Sequence, residues 1–226
     1  MQTKLIYMEQ MQLYECEARV IDIESKDGKV DIMLEQTIFY PQGGGQPYDT
    51  GLIFTDTSIF EVEEVRYDNG IVHHIGFFKI GKFEVRENVM CEVDKEKRKI
   101  HTRLHSIGHL IDIVVKELKL DWKSTKGYHF PQGAYSEYRG NMKGKDTTDI
   151  IRQLENKSNE VVGRNIETKI EFSTSHTQDG KPLRIIYYGD FGVPCGGTHV
   201  KNLKDISSVT IRKVKQDKDI IRVSYA

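Results

Sequence analysis

Two short motifs far apart in the chain constrain its fold more than anything else: His105-Ser-Ile-Gly-His109 and Cys195-Gly-Gly-Thr-His199. Residues four apart on a helix point the same way, so His105 and His109 can share one face. A cysteine and a histidine four apart in a turn can close on that face, because Gly196 and Gly197 allow backbone angles that other residues avoid. One thiolate and three imidazoles are soft or borderline donors and suit a single Zn²⁺ per chain. A helix from the middle of the chain must then meet a loop near its end.

A histidine pair alone is weak evidence, since many such histidines are solvated or satisfy a core hydrogen bond. The cysteine in its glycine turn strengthens it. Ser106 stands where an HExxH metalloprotease needs glutamate, so a protease fits poorly. His101 lies one turn before His105, which leaves two helical pairs open, His101 with His105 or His105 with His109. Leu110 and Ile111 continue the buried stripe past His109 and favour the second pair. His101 is then a group behind the ligands, a substrate-side group, or a solvated histidine at the helix start.

At 226 residues and 38% hydrophobic the chain is globular, and its net charge of −1 means that nucleic acid can be held only by local patches. Three cysteines, Cys16, Cys91 and Cys195, and no apolar run at the start point to a reducing, cytoplasmic setting with no membrane contact. Residues 14–40 read as a hairpin turning at Asp27-Gly28. Strands are expected over 59–67, 71–75 and 84–93, the first two joined by Asp68-Asn69-Gly70. Short strands at this spacing predict a small β-barrel. From Asp94, a plausible N-cap, Ile100, Leu104, Ile107, Ile111, Val114 and Leu118 recur at steps of three and four and predict a long amphipathic helix. The histidines form a separate row on it, roughly 40° apart per step. A strand pair over 130–138 turning at Pro131-Gln132-Gly133, a helix over 147–162 and strands over 166–172, 183–188, 209–214 and 220–225 follow. The expected fold class is α+β, with a barrel domain over 1–92 and an α/β domain over 93–226.

Residues 39–51 are too rich in glycine and proline for a regular element. Gly43, Gly44 and Gly45 would let backbone amides approach a ligand, and Gln46 would offer an amide to it. The bland reading is a wide loop. Basic residues gather at Lys95, Lys97, Arg98, Lys99 and Arg103 before the histidines, and at Lys201, Lys204, Arg212, Lys213, Lys215 and Lys218 after the cysteine loop. If a metal joins the two regions, they form a footprint for a phosphate backbone; otherwise they are solvated surface.

Together, His105-Ser-Ile-Gly-His109-Leu-Ile, Pro194-Cys-Gly-Gly-Thr-His-Val200 and the Phe39-to-Gly51 loop resemble the editing domain of alanyl-tRNA synthetase. They are more similar still to the free-standing AlaX proteins of the type with an N-terminal β-barrel. The resemblance implies an editing fold shared with threonyl-tRNA synthetases and Zn²⁺ on His105, His109, Cys195 and His199. It also implies deacylation in trans of tRNA(Ala) mischarged with serine, with glycine as a further substrate, at the tRNA 3′ end. ATP binding is not expected. Relatives of the synthetase type often carry glutamine before the Lys-Gly that follows the histidine helix; here Thr125 precedes Lys126-Gly127.

On this reading Gln46, Thr125 and His101 are candidates for the chemistry, with Gln46 and Thr125 placed to meet a serine hydroxyl. Gly43, Gly44, Gly45, Lys99, Arg103, Lys126, Gly196, Gly197 and Thr198 would bind the tRNA end. Monomer and homodimer are both compatible with the sequence. A tRNA-binding module whose zinc only holds the loop in shape, or a zinc hydrolase acting on a small ester or amide, would leave the same motifs.

Overall fold

The computed structural model describes every residue except Met1, Asp27, Lys145, Gln178 and Asp179. The N-terminal part folds into strands β1 (Lys4–Leu5), β2 (Glu15–Lys26), β3 (Lys29–Leu34), β4 (Gln36–Thr37), β5 (Gly51–Phe54), β6 (Ile59–Asp68), β7 (Ile71–Ile80) and β8 (Asn88–Val93). β2, β3, β7, β6, β5 and β8 close in that order into a barrel, and β1 pairs with β4 in parallel beside it. Residues alternate inward along each strand, and Val20, Ile32, Leu34, Phe60, Val62, Val72 and Val89 fill the interior. Both expected hairpins are present. Gly28 turns the first with φ +79, while Asp27 lies outside the described residues. The expected strand over 84–93 is shortened to Asn88–Val93, because Arg86 takes a positive φ of 78°.

The rest of the chain gives α1 (Lys95–Glu117), β9 (Lys123–Tyr128), β10 (Tyr135–Arg139), α2 (Thr147–Gly163), β11 (Thr168–His176), β12 (Pro182–Tyr188), β13 (Phe191–Pro194), β14 (Ile211–Asp217) and β15 (Ile220–Tyr225). An antiparallel sheet runs β14-β15-β10-β9, and a second, smaller one runs β11-β12-β13. α1 and α2 pack against each other, and α2 packs against β14. The architecture is α+β with an N-terminal barrel. Phe130 was expected to begin a strand, but β9 ends at Tyr128 and Phe130 stacks on Tyr128 from the loop, with centroids 4.5 Å apart.

Asp94 caps α1 as its sequence suggests, its carboxylate accepting the Lys97 N–H at 3.1 Å. Leu104, Ile107, Ile111 and Val114 are buried, but Ile100 is 48% exposed. It stands at the rim of a groove with Tyr14, Lys99 and Arg103, where the first turns of the helix lie beside the barrel rather than under the core. The opposite face is also buried: His101, Thr102, His105 and Ser106 pack away from solvent.

Arg98 corrects another expectation. It is no phosphate contact but a fully buried ion pair, its Nε donating to both Asp49 carboxylate oxygens at 2.9 Å. Its other nitrogens donate to Met11 O and Ile38 O at 3.1 and 2.6 Å, so the helix is fastened to the barrel side of the molecule. The Asp94 N–H donates to Thr50 O at 2.7 Å, leaving a single residue between β8 and α1.

Candidate metal and active site

The four expected donors converge. His105, His109, Cys195 and His199 each present one ligand atom, and all four atoms lie within 4.8 Å of one another. Cys195 Sγ is 3.4 Å from His105 Nε2 and 3.3 Å from His199 Nε2. Each imidazole is held from behind through Nδ1: His105 by Gln46 Oε1 at 2.7 Å, His109 by Asp112 at 3.4 Å, His199 by the Tyr188 hydroxyl at 3.0 Å. Asp112 is itself oriented by the Tyr138 hydroxyl at 2.8 Å. Such outer partners fix the ring and leave Nε2 for a cation. Among the described residues His109 Nε2 is buried without a hydrogen-bond partner, as suits an atom that can ligate a cation. One thiolate and three imidazoles fit a tetrahedral, borderline-soft divalent ion.

The sequence builds this locally. Arg184, fully buried on β12, gathers the cysteine loop by donating to Cys195 O at 2.9 Å, Met8 O at 2.7 Å and Gly197 O. A side chain at Gly197 could not be accommodated, since its Cβ would stand 2.1 Å from His105 Cε1. Thr198 reaches across to Thr102 of α1 at 2.6 Å, and its N–H donates to Gln46 Oε1 at 3.0 Å. Gln46, from the barrel loop, thus bridges a helix ligand and the cysteine loop.

Burial opposes charge on the Cys195 thiol, but the His109 imidazole and the Gly197 N–H outweigh it and hold the thiol below its ordinary value. Burial also lowers His109, yet Asp112 and Cys195 together hold it up at about 10. His105 and His199 are pushed well down by burial and by the neighbouring imidazoles, which keeps them neutral, the form that ligates. Metal uptake would therefore release the His109 proton.

A cavity of 220 Å³ opens on the donors. Gly44, Gly108, Asp112, Ser124, Lys126, Gly127, His129, Ser136 and Gly196 line it together with His105, His109 and Cys195. Of the expected substrate contacts, Gly44, Gly196 and Lys126 border this space. Gly43 and Gly45 belong to the same turn, closed by hydrogen bonds between Gly43 and Gln46. Gly197 and Thr198 are buried behind the ligands. Thr125 is exposed on β9, its hydroxyl donating to Glu137 O at 3.1 Å; its neighbours Ser124 and Lys126 line the cavity instead, as strand alternation requires. His101 is buried a turn away from the donors, its Nδ1 without a hydrogen-bond partner among the described residues. Lys99 pairs with Glu96 at 2.8 Å, and Arg103 donates to Ile206 O and Ser208 O at 2.9 and 2.6 Å, both away from the cavity.

Known proteins share sequence with this chain. Residues 3–97 match the class II (A) tRNA synthetases, and residues 183–223 match the second additional domain of threonyl and alanyl tRNA synthetases. The alanyl-tRNA editing protein AlaX-L of Pyrococcus horikoshii is 29% identical over 234 residues, which cover 97% of this chain. The chain is thus similar to an alanyl-tRNA editing protein along nearly its whole length. Alanine–tRNA ligases of Methanoregula boonei and Halobacterium salinarum share 30% and 27% identity over 252 and 257 residues. The chain spans 57% of the length of the editing protein and 25% and 26% of the two ligases.

Several residues around the donors carried no readable spacing. Asp112 could have been found, because it lies three residues after His109 on the same helix face. His129, Tyr188 and Tyr225 could not, since only sheet pairing brings them to the donors. No helix among the described residues is long and apolar enough to cross a membrane.

Proposed function

We propose that this chain hydrolyses the ester of seryl-tRNA(Ala), with glycyl-tRNA(Ala) as a second substrate, using one Zn²⁺ on His105, His109, Cys195 and His199. The observation that carries the reading is the ligand cluster set at the wall of a 220 Å³ cavity, room for a small aminoacyl ester and little more. The partner is tRNA(Ala), as the names of the relatives suggest for their own substrates. Bound Zn²⁺ would supply a Lewis acid for the ester carbonyl or an anchor for the amino group.

The chain's own groups do the rest. Gln46, Asp112 and Tyr188 hold the imidazoles in the tautomers that ligate. Lys126 sets a cation at the cavity, where it favours negative charge developing on the carbonyl oxygen or the terminal phosphate.

The decisive experiment is a deacylation panel on Ser-, Gly- and Ala-tRNA(Ala) with and without chelator. Wild-type protein should cleave the seryl ester, and chelator, Cys195→Ala and His105→Ala should each abolish both zinc content and cleavage. Full activity in a metal-free Cys195→Ala protein would refute a catalytic metal. Four protein donors can by themselves fill a tetrahedral site, which favours a second reading, a tRNA-binding module whose zinc is structural. Under that reading the protein binds Ser-tRNA(Ala) while the ester decays at its background rate.

A further inference from the structure

One imidazole in the cavity holds no ligand position: His129. Its ring lies over that of His105, with centroids 4.5 Å apart and planes 19° from parallel. Nδ1 is bonded to the Tyr225 hydroxyl at 2.6 Å, and the His129 N–H donates to Gly45 O at 2.8 Å. Among the described residues Nε2 has no hydrogen-bond partner, although the side chain is 4% exposed. The residue borders the 220 Å³ space beside His105, His109 and Cys195.

Three glycines from three separate elements make the slot that holds this ring. A Cβ at Gly108, in the middle of α1, would stand 2.5 Å from Cε1. One at Gly127 on β9 would stand 2.4 Å from Nε2, and one at Gly45 in the barrel loop 3.2 Å from Cδ2. Glycine inside a helix is destabilising relative to alanine, and Gly108 sits where α1 meets this ring. The slot and the Tyr225 bond leave Nε2 as the one polar atom of the ring available to a ligand.

We propose that His129 is a specificity-determining residue, its Nε2 hydrogen-bonding the side-chain hydroxyl of a bound seryl ester, with Tyr225 as the positioning residue behind it. The proposal rests on the deacylase reading above. A hydroxyl both donates and accepts, so either imidazole tautomer serves, with the Tyr225 hydroxyl taking the complementary role at Nδ1. An alanyl ester would set a methyl against Nε2 and leave a buried polar atom unpaired. Sites built around one substrate hydroxyl reject the analogue lacking it by up to ~10⁴-fold. Thr125, on the outer face of β9, is not needed for this discrimination.

The test compares wild type with His129→Phe, His129→Gln and Tyr225→Phe on Ser-, Gly- and Ala-tRNA(Ala), measuring zinc content and melting temperature for each protein. Phenylalanine keeps a ring in the slot and removes the nitrogen. His129→Phe should retain zinc and lose about a hundredfold in kcat/KM on the seryl ester. The esters without a hydroxyl should change much less, so the Ser-to-Gly and Ser-to-Ala ratios fall together. His129→Gln, which restores a polar atom, should recover part of those ratios. Tyr225→Phe should raise KM for the seryl ester more than it lowers kcat, and it reads the same ratios if the phenylalanine protein does not fold. Unchanged ratios in zinc-loaded His129→Phe overturn the proposal. An equal loss on all three esters also overturns it, since that marks a role in shape alone. If the wild type leaves Ser-tRNA(Ala) uncleaved, the deacylase reading fails and this proposal fails with it.

Discussion

At the scale of single residues, the site is a set of imidazoles whose rear nitrogens are all engaged. Gln46 makes the most connections, accepting from His105 Nδ1 and from the Thr198 N–H and donating to Thr198 Oγ1 at 2.9 Å. Leucine at this position is similar in size and can make none of these bonds. We therefore expect Gln46→Leu to weaken zinc binding by about 10- to 100-fold, measured by competition with a chromogenic chelator. Affinity equal to wild type would show that His105 needs no partner behind it. The four donors were legible in the sequence because their spacings, i to i+4 on a helix and i to i+4 in a glycine turn, are local properties of the chain. Gln46 was legible only as a polar group in a glycine loop, and its task of orienting a ligand was not. His129 was not legible at all. It reaches the site because β9, β10 and β15 pair, setting Tyr135 against both Tyr128 and Ser224, and no sequence interval records that register.

At the scale of elements, the long helix and the barrel hairpins followed from periodicity, while the short pieces did not. β5 has four residues and begins at a glycine, and β13 has four, too few for alternation to show. Ile100 misled because the apolar stripe of a helix marks what could be buried, and the first turns of α1 have no core to cover them. The barrel offers a test of its own. His74 on β7 is wholly buried and bonded to Thr37 Oγ1 and Ile32 O, each at 2.8 Å. Burial holds its pKa down at about 4, against an ordinary 6.5. The folded protein thus refuses a proton that the unfolded chain accepts, so stability should be full above pH 6.5 and fall as pH drops toward 4. The slope would approach 1.4 kcal/mol per pH unit, for a total of about 3 kcal/mol, with no further loss from this group below that window. Urea unfolding across that range should show the limb in wild type and not in His74→Gln. An identical limb in the variant would assign the loss to other groups.

At the scale of the whole molecule, the barrel and the part that carries the metal donors are fastened through buried charge. Asp49 and Arg98 are each at most 1% exposed, and Arg184 joins Met8 to the cysteine loop. Asp49→Asn leaves the guanidinium buried without a counter-charge, and we expect it to cost about 3–5 kcal/mol of unfolding free energy. The double variant Asp49→Asn with Arg98→Met should recover much of that loss. A double variant no more stable than the single one would show that packing, not charge, is at stake. Sequence reading separated a strand-rich first part from a mixed second part, where the hydrophobic pattern changes to a helical period. It could not show that one lends a ligand-orienting glutamine to the other, because nothing in either segment alone encodes a contact between them.

The single residue between β8 and α1 has a mechanical consequence. Asp94 is taken up by the cap of the helix and by its own N–H to Thr50 O, so the joint has no slack. His105 lies about ten residues into α1, a lever of roughly 15 Å, so a tilt of only ~10° at the joint would carry its ring by about 2.6 Å. That displacement is as long as the hydrogen bond from His105 to Gln46 itself. A side chain on the barrel can serve a ligand on the helix only because the hinge between them is seized. Lengthening this junction by one or two residues would leave the metal site tied to the barrel only through the Asp49–Arg98 pair, the Arg184 bonds to Met8 and the cysteine loop, and the Gln46 bonds.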